Sequence, residues 1–325
     1  MRVSLEQAIA ELKNGGVVAI PTETVYGLAA DATNDSALRK IFEIKQRPAD
    51  HPLIVHIGDV NQVSDWATSF PEVAIKLAEA FWPGPLTLVL PAQPQVSRVV
   101  RGDEPTVALR VPNHPVALAL LKHGNLSVAA PSANLFTQLS PTTAAHVEAG
   151  LGESIPVLDG GPCNVGIEST IVSVSANGLW QLLRPGMISE EEIAKVATTH
   201  HQAPFTESTD ASQVVPKVPG QHALHYSPRT PLMLFKDRLS LIQESKALQA
   251  MGLSFAIMLI GDSDHVELNC QTINLPNSPD KVAELLYSSL HDLDAMKVDR
   301  LLVELPPVLP EWMAVLDRLS RAGYR

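Results

Sequence analysis

Lys45 and Arg47 stand where a helical pattern stops at Pro48. Upstream, Pro21-Thr22-Glu23-Thr24-Val25-Tyr26-Gly27-Leu28 forms a hydroxyl-rich turn leaving an apolar strand. Hydroxyls and backbone amides on a tight turn, beside a lysine and an arginine, suit a site that holds carboxylates and phosphates. An isolated Lys-x-Arg would read as a solvated helix end, where the macrodipole favours cations. Here His51-Pro52 and the strand carrying His56 follow at once, which gathers polar groups where a helix end meets a strand mouth.

Other candidates are each weak alone. His56 sits on an apolar strand, where a lone histidine is usually a satisfied core residue. Arg110 in Val107-Ala108-Leu109-Arg110-Val111-Pro112 is costly to bury without an anion. A structural Asp or Glu and a ligand carboxylate or phosphate are equally good partners for its fork. Pro131-Ser132-Ala133-Asn134 with Ser140-Pro141-Thr142 follows an apolar strand, as a capped turn or a phosphate loop would. Asp159-Gly160-Gly161, Gly166-Ile167-Glu168-Ser169-Thr170 and Arg184-Pro185-Gly186 supply further turns, and Arg184 has no evident local partner. His222 and His225 form an HxxH, but the surrounding Pro and Gly disfavour the helix that would make it a metal site, so no metal ligand is assigned.

The chain has no GxxxxGK[ST], no GxGxxG after a strand, no HExxH and no GxSxG, so the common nucleotide, zinc-protease and hydrolase fingerprints do not apply. A net charge of -11 opposes a protein that coats nucleic acid or an anionic membrane, while leaving room for a small basic cleft. Cys163 and Cys270 are far apart and form no CxxC pair. No apolar run is long enough to span a bilayer, and the first residues read as an amphipathic helix instead of a signal peptide. A soluble, cytoplasmic protein is expected.

The elements that must position these residues alternate. Strands are expected at Val17–Ile20, Leu53–Ile57, Thr87–Leu90, Val107–Val111, Ser127–Ala130, Ile155–Leu158, Thr170–Val174 and Trp180–Leu183. Helices are expected at Leu5–Lys13, Asp35–Lys45, Glu72–Phe81, Pro115–His123, Thr142–Ala149 and Glu190–Ala197, with Asp35 and Ser140 at N-cap positions. The pattern implies a mixed sheet over 1–198. It dissolves over 199–230, a linker or lid rich in His, Ser, Thr, Gln and Pro. From 231 to 325, strands Leu232–Phe235, Phe255–Ile260, Thr272–Leu275 and Arg300–Glu304 alternate with helices, which predicts a small parallel sheet flanked by helices.

Taken in order, PTETVYGL, KQRP with HP, VHI, WPGPLTLVL, VALRVP, PSAN with SPT, DGG, GIESTIV and RPG resemble the YrdC-like threonylcarbamoyl-AMP synthase family from Val3 to about Ala197. The linker PGQHALHYSP and the tail resemble its two-domain members. The resemblance implies an α/β twisted open mixed sheet with a concave cavity, plus a smaller Rossmann-like α/β domain. It also implies that L-threonine, bicarbonate and ATP, with Mg2+, give L-threonylcarbamoyl-AMP and pyrophosphate. That product would serve N6-threonylcarbamoyladenosine formation in tRNA through a separate transferase complex, with at most weak contact to tRNA.

By the same resemblance, Thr24, His56, Arg110, the backbone at Ala130 and Thr170 hold threonine and its carbamate. Arg47, His51, Thr106, Ser132, Ser140, Arg184 and Tyr226 hold ATP, with Lys45 on the phosphates, and Lys45, Arg47 and Arg184 stabilise transferring charge. Tyr226 would close as part of a lid. Two departures stand out. Phe136-Thr137 replaces the family's usual Ser-Gly, which is expected to alter that loop's backbone, and Gln221-His222-Ala223-Leu224 replaces commoner basic or aromatic linker residues. The competing function is a non-catalytic RNA-binding or ribosome-maturation module. A carbamoyl-phosphate-linked transferase ranks below it, because the zinc-finger and acylphosphatase segments expected there are missing.

Overall fold

The computed structural model describes residues 1–197, 216–220, 225–261 and 270–323. Much of the expected linker, including His222, lies outside the described residues.

Among the described residues, ten strands form one mixed sheet. Their order is Arg2–Val3, Val157–Leu158, Val18–Ile20, Gly27–Asp31, Val128–Ala129, Ile54–His56, Thr106–Arg110, Leu86–Pro91, Thr170–Val174 and Trp180–Arg184. Strands Ile54–His56 and Thr106–Arg110 run parallel in a register that sets His56 beside Arg110. Both residues lie at the C-terminal ends of their strands, where open α/β sheets place ligands. Strand Gly27–Asp31 escapes the sequence reading because Gly-Leu-Ala-Ala carries no β-branched residue.

Helix Asp35–Lys45 shows how pattern becomes position. Ala37, Leu38, Ile41 and Phe42 are buried on one face while Arg39 and Lys40 are exposed. Lys45, four residues beyond Ile41, falls on that buried face as well, so helical spacing alone carries a lysine inward. Gln46 then takes a left-handed conformation (φ 52°) that ends the helix and turns Arg47 away from it.

Two expected caps are corrected. Asn34, not Asp35, caps that helix, its side chain accepting from the Ser36 and Ala37 amides. The later helix runs over Ala144–Leu151 with Thr143 as its cap, because the Ser140 hydroxyl is committed elsewhere, to Glu168.

Among the described residues, the four C-terminal strands are all parallel, in the order Leu232–Phe235, Arg300–Glu304, Phe255–Ile260 and Gln271–Leu275. Helices Pro279–Ala295 and Met313–Ala322 bury Leu286, Tyr287, Leu290, Val315 and Leu319. This α/β unit packs closely on the larger one: a Cβ placed on Gly166 would lie 2.4 Å from the Ala283 carbonyl oxygen. Among the described residues, no helix is long and apolar enough to cross a membrane.

Candidate active site

The hydroxyl-rich turn is rigid because it satisfies itself. Thr22 Oγ1 donates to the Val25 carbonyl at 2.6 Å, accepts from the Thr24 and Val25 amides, and lies 2.9 Å from Thr24 Oγ1. Thr24 Oγ1 in turn accepts from Arg110 Nη1 at 3.0 Å. Arg110 also donates Nε to the Gly84 carbonyl, and its Nη2 lies 2.7 Å from Glu23 Oε1. The two partners left open by the sequence, a structural acid and a ligand, are therefore both in play: Glu23 pairs with the guanidinium, and Arg110 still lines a cavity. His56 lies in the same wall. Its Nδ1 has no hydrogen-bond partner, and burial, reinforced by the charge of Arg110, lowers its pKa to about 3. It is a neutral imidazole with an unsatisfied nitrogen, unlike a satisfied core histidine.

The remaining cations face the same cavity, which encloses about 250 Å3. Lys45 Nζ donates to the Ser132 and Asn134 carbonyls, which ties the helix end to the PSAN loop. Arg47 Nη2 donates to the Pro52 carbonyl at 3.0 Å, and its Nε is unsatisfied. Arg184 donates to the carbonyl and hydroxyl of Ser169 and to the Pro219 carbonyl. Gly186 lets this segment approach closely, since a Cβ there would sit 2.4 Å from the Thr170 amide nitrogen. Among the described residues, none of these three cations has a carboxylate within ion-pair distance. Burial accordingly depresses all three: Lys45 well below the usual lysine range, Arg47 to about 10, and Arg184 in the same direction. Mutual repulsion adds to this between Lys45 and Arg47, and between Arg47 and Arg184.

Among the described residues, the cavity lining holds five cations, Lys45, Arg47, Arg110, Arg184 and Lys217, against one carboxylate, Glu168, with Glu23 behind Arg110, in a chain whose net charge is -11. Burying uncompensated charge costs several kcal/mol per ion. An anionic ligand would offset that cost.

Tyr226 closes one side. It is fully buried at a positive φ of 60°, its ring 5.8 Å from that of Tyr287, and its hydroxyl has no hydrogen-bond partner. His225, half-buried and lowered to about 3, presents its ring edge-on to Phe136, which packs in the same manner on His51. Thr137 next to it adopts φ 70°, the region glycine favours. The Thr-for-Gly departure is therefore absorbed as local strain at a residue whose carbonyl accepts from the Ser227 amide at 2.9 Å.

Comparison with known proteins gives a consistent result. Residues 10–186 match the Sua5/YciO/YrdC family model, described as telomere recombination. Residues 188–323 match the model described as the threonylcarbamoyl-AMP synthase C-terminal domain. Threonylcarbamoyl-AMP synthase of Bacillus subtilis is 40% identical over 330 residues, covering 98% of this chain and 92% of the relative. The chain belongs to the threonylcarbamoyl-AMP synthase family. The synthase of Pyrococcus abyssi is 38% identical, covering 97% of this chain and 92% of its own. A crystal structure of P. abyssi Sua5 complexed with L-threonine superposes with a TM-score of 0.87 at 35% identity, covering 100% of this chain and 97% of that one.

Within this family fold, Thr24, Lys45, Arg47, His51, His56, Arg110, Ala130, Ser132, Arg184 and Tyr226 line the same cavity. Thr106, Ser140 and Thr170 are not among its lining residues. Thr106 opens its strand opposite Pro91. The Ser140 hydroxyl donates to Glu168 at 2.6 Å, and that of Thr170 donates to the Ile188 carbonyl at 2.8 Å. The latter two brace the wall from behind. The sequence reading assigned no role to Glu168, Ser169, Phe136, Lys217 or His225, all of which line the cavity. A carboxylate inside the otherwise β-forming Glu168-Ser169-Thr170-Ile171-Val172 run was the available signal for Glu168.

Proposed function

We propose that this chain makes L-threonylcarbamoyl-AMP and pyrophosphate from L-threonine, bicarbonate and ATP. The observation that supports this best is the division of the cavity's cations into two groups. Arg110 stands with Thr24 and the neutral His56, whereas Lys45, Arg47 and Arg184 stand together without carboxylate partners among the described residues. The first group suits an amino acid carboxylate and a carbamate. The second suits a polyphosphate.

In the reaction, the threonine amine adds to the carbon of bicarbonate, releasing water and leaving a carbamate. A carbamate oxygen then attacks the α-phosphorus of ATP, the new O–P bond forming as the bond to the bridging oxygen breaks and pyrophosphate leaves. The second cation group opposes the charge that develops on the transferring phosphoryl and on pyrophosphate, without reorganising, because its members are already held on backbone carbonyls. The neutral His56, too weak a base at about 3 to take a proton from an ammonium, can offer a hydrogen bond to the amino acid end of the cavity. Tyr226 over the cavity would keep water from the mixed anhydride product. Mg2+ would arrive on the ATP phosphates, as part of the substrate. The product would pass to a separate transferase complex that modifies tRNA.

The test is pyrophosphate release from ATP with bicarbonate and Mg2+, with and without L-threonine. Threonine-dependent release that falls about 10²–10³-fold in Arg47→Ala is the expected result. Release indifferent to threonine, with RNA binding intact, would be the behaviour of a non-catalytic binding module and would reject the assignment.

A further inference from the structure

Arg318, on the C-terminal helix Met313–Ala322, is fully buried and does not line the cavity, yet it reaches the cavity wall. Its Nε donates to Glu168 Oε2 at 2.8 Å and its Nη2 to the Glu168 carbonyl at 3.2 Å. Nη1 donates to the Pro185 carbonyl at 3.0 Å, beside Arg184, and to Asp317 Oδ2. Its guanidinium lies 5.3 Å over the Tyr226 ring. One side chain from the second α/β unit thus touches the Glu168 loop, the Pro185 turn and Tyr226.

We propose that Arg318 is a positioning residue for the nucleotide end of the cavity: by neutralising Glu168, it leaves Arg184 free to meet an anionic ligand. Glu168 is the one carboxylate in the lining among the described residues, and it lies within electrostatic reach of Arg184. Two neutral hydroxyls, from Ser140 and Tyr287, complete its coordination but bring no charge. Without Arg318, the carboxylate would repel the incoming phosphates and draw Arg184 off them. Asp317 would not become unpaired, because Arg321 Nε lies 2.9 Å from its other oxygen. The charge deficit would fall on the Glu168 carboxylate, while the Pro185 and Glu168 carbonyls lose a neutral donor contact. Arg110 is oriented by Glu23, Thr24 and Gly84, on other segments, and His56 lies beside it in strand register, so the amino acid end is untouched. On this account the C-terminal unit contributes to the catalytic site and is not an appended module.

The inference rests on the proposed reaction, and calorimetry separates the two. ATP affinity is measured directly on the full chain, and pyrophosphate release gives the KM for threonine. Arg318→Met, which keeps bulk against Tyr226 but removes charge, should weaken ATP binding about tenfold or more and leave the threonine KM within about twofold. Adding Glu168→Gln to it should restore ATP binding to within about threefold of the original chain, and Arg318→Lys should stay within the same range. Unchanged ATP affinity in Arg318→Met, a double variant no better than the single, or equal weakening of both substrates would overturn the inference. Should Arg318→Met not fold, Arg318→Lys decides: a mere structural clamp loses its fork and fails, whereas a charge balance survives. ATP binding without threonine-dependent release would instead reject the reaction and leave the Arg318 result standing.

Discussion

Glu23 Oε1 lies 2.7 Å from Arg110 Nη2, and neither side chain is more than 4% exposed. The pair is close but poorly aligned, so neither Glu23 oxygen accepts a regular hydrogen bond. Glu23 therefore supplies charge while Thr24 and Gly84 supply direction, at 3.0 and 3.2 Å. A planar fork held at three points cannot be mimicked by an ammonium. Arg110→Lys should raise the KM for threonine about tenfold or more, the equivalent of one charge-assisted hydrogen bond at roughly 1.5–3 kcal/mol. ATP affinity should be unchanged. Steady-state kinetics with each substrate varied in turn would check both halves, and a parallel loss of ATP affinity would show that the two ends of the cavity are not separate.

Lys45 predicts a proton signature. Burial first, then Arg47, depresses its pKa well below the usual lysine value, while Glu168 partly opposes this. A bound polyphosphate favours the charged ammonium and raises the pKa again. ATP binding should therefore take up protons on the alkaline side of neutrality. Calorimetry at about pH 9 in buffers of different ionisation enthalpy would measure that uptake. Uptake should diminish in Lys45→Met, and an unchanged value would assign the proton to another group.

Much of this site could be read from local signals, and the rest for definite reasons could not. Helical spacing from Leu38 through Ile41 carries Lys45 inward, and a proline marks where Arg47 leaves the helix. The alternation of strands and helices gave the small parallel sheet strand by strand. Strand Gly27–Asp31 was hidden because small residues carry weak β preference. Ser140 looked like a cap because a serine before Pro-Thr usually is one, but a buried carboxylate took its hydroxyl. The Glu168–Arg318 pair joins residues 150 apart in sequence. Nothing local marks such a pair, since an arginine on an amphipathic helix ordinarily reads as part of a solvated face.

Acid should destabilise the fold in two overlapping windows. His56 and His225 are both held at about 3, chiefly by burial, against an ordinary 6.5. Below pH 6.5 the unfolded chain takes up their protons and the native chain does not, so stability is complete above that value and declines as pH falls toward 3. Glu168 behaves as a depressed carboxylate. Burial would raise it, but Arg318 and Arg184, with hydrogen bonds from Ser140 and Arg318, hold it at about 2 against 4.5. Its contribution is complete above 4.5 and is lost between 4.5 and 2. At about pH 5.5 the two histidines together should cost about 2–3 kcal/mol relative to neutral pH, from roughly 1.4 kcal/mol per unit each. Urea midpoints across this range would measure the slope. Replacing both histidines with asparagine should reduce the slope above about pH 4.5 without abolishing it, because burial also lowers His114, His146 and His291, and an equally steep slope in that variant would assign the acid sensitivity elsewhere.

Thr137 carries strain that its neighbours do not share. A β-branched residue at φ 70° costs about 1–2 kcal/mol in the left-handed region. Its position is over-determined: the Phe136 amide donates to the Lys45 carbonyl at 2.8 Å, and the Ser227 amide to the Thr137 carbonyl at 2.9 Å. Thr137→Gly removes the strain and adds about 0.5–1 kcal/mol of unfolded-state entropy. The first effect is the larger, so the variant should be more stable by about 0.5–1 kcal/mol. The same two backbone hydrogen bonds should keep the loop in place. Threonine-dependent pyrophosphate release should then stay within about twofold, because the bonds that hold this loop to its neighbours among the described residues are made by its backbone, although Thr137 lines the cavity. A lower urea midpoint would show that the Thr137 methyl or hydroxyl contributes packing that outweighs the strain. An unchanged midpoint with lost activity would mean that stiffness at this loop, beside Phe136 and His225, is part of how the cavity is closed.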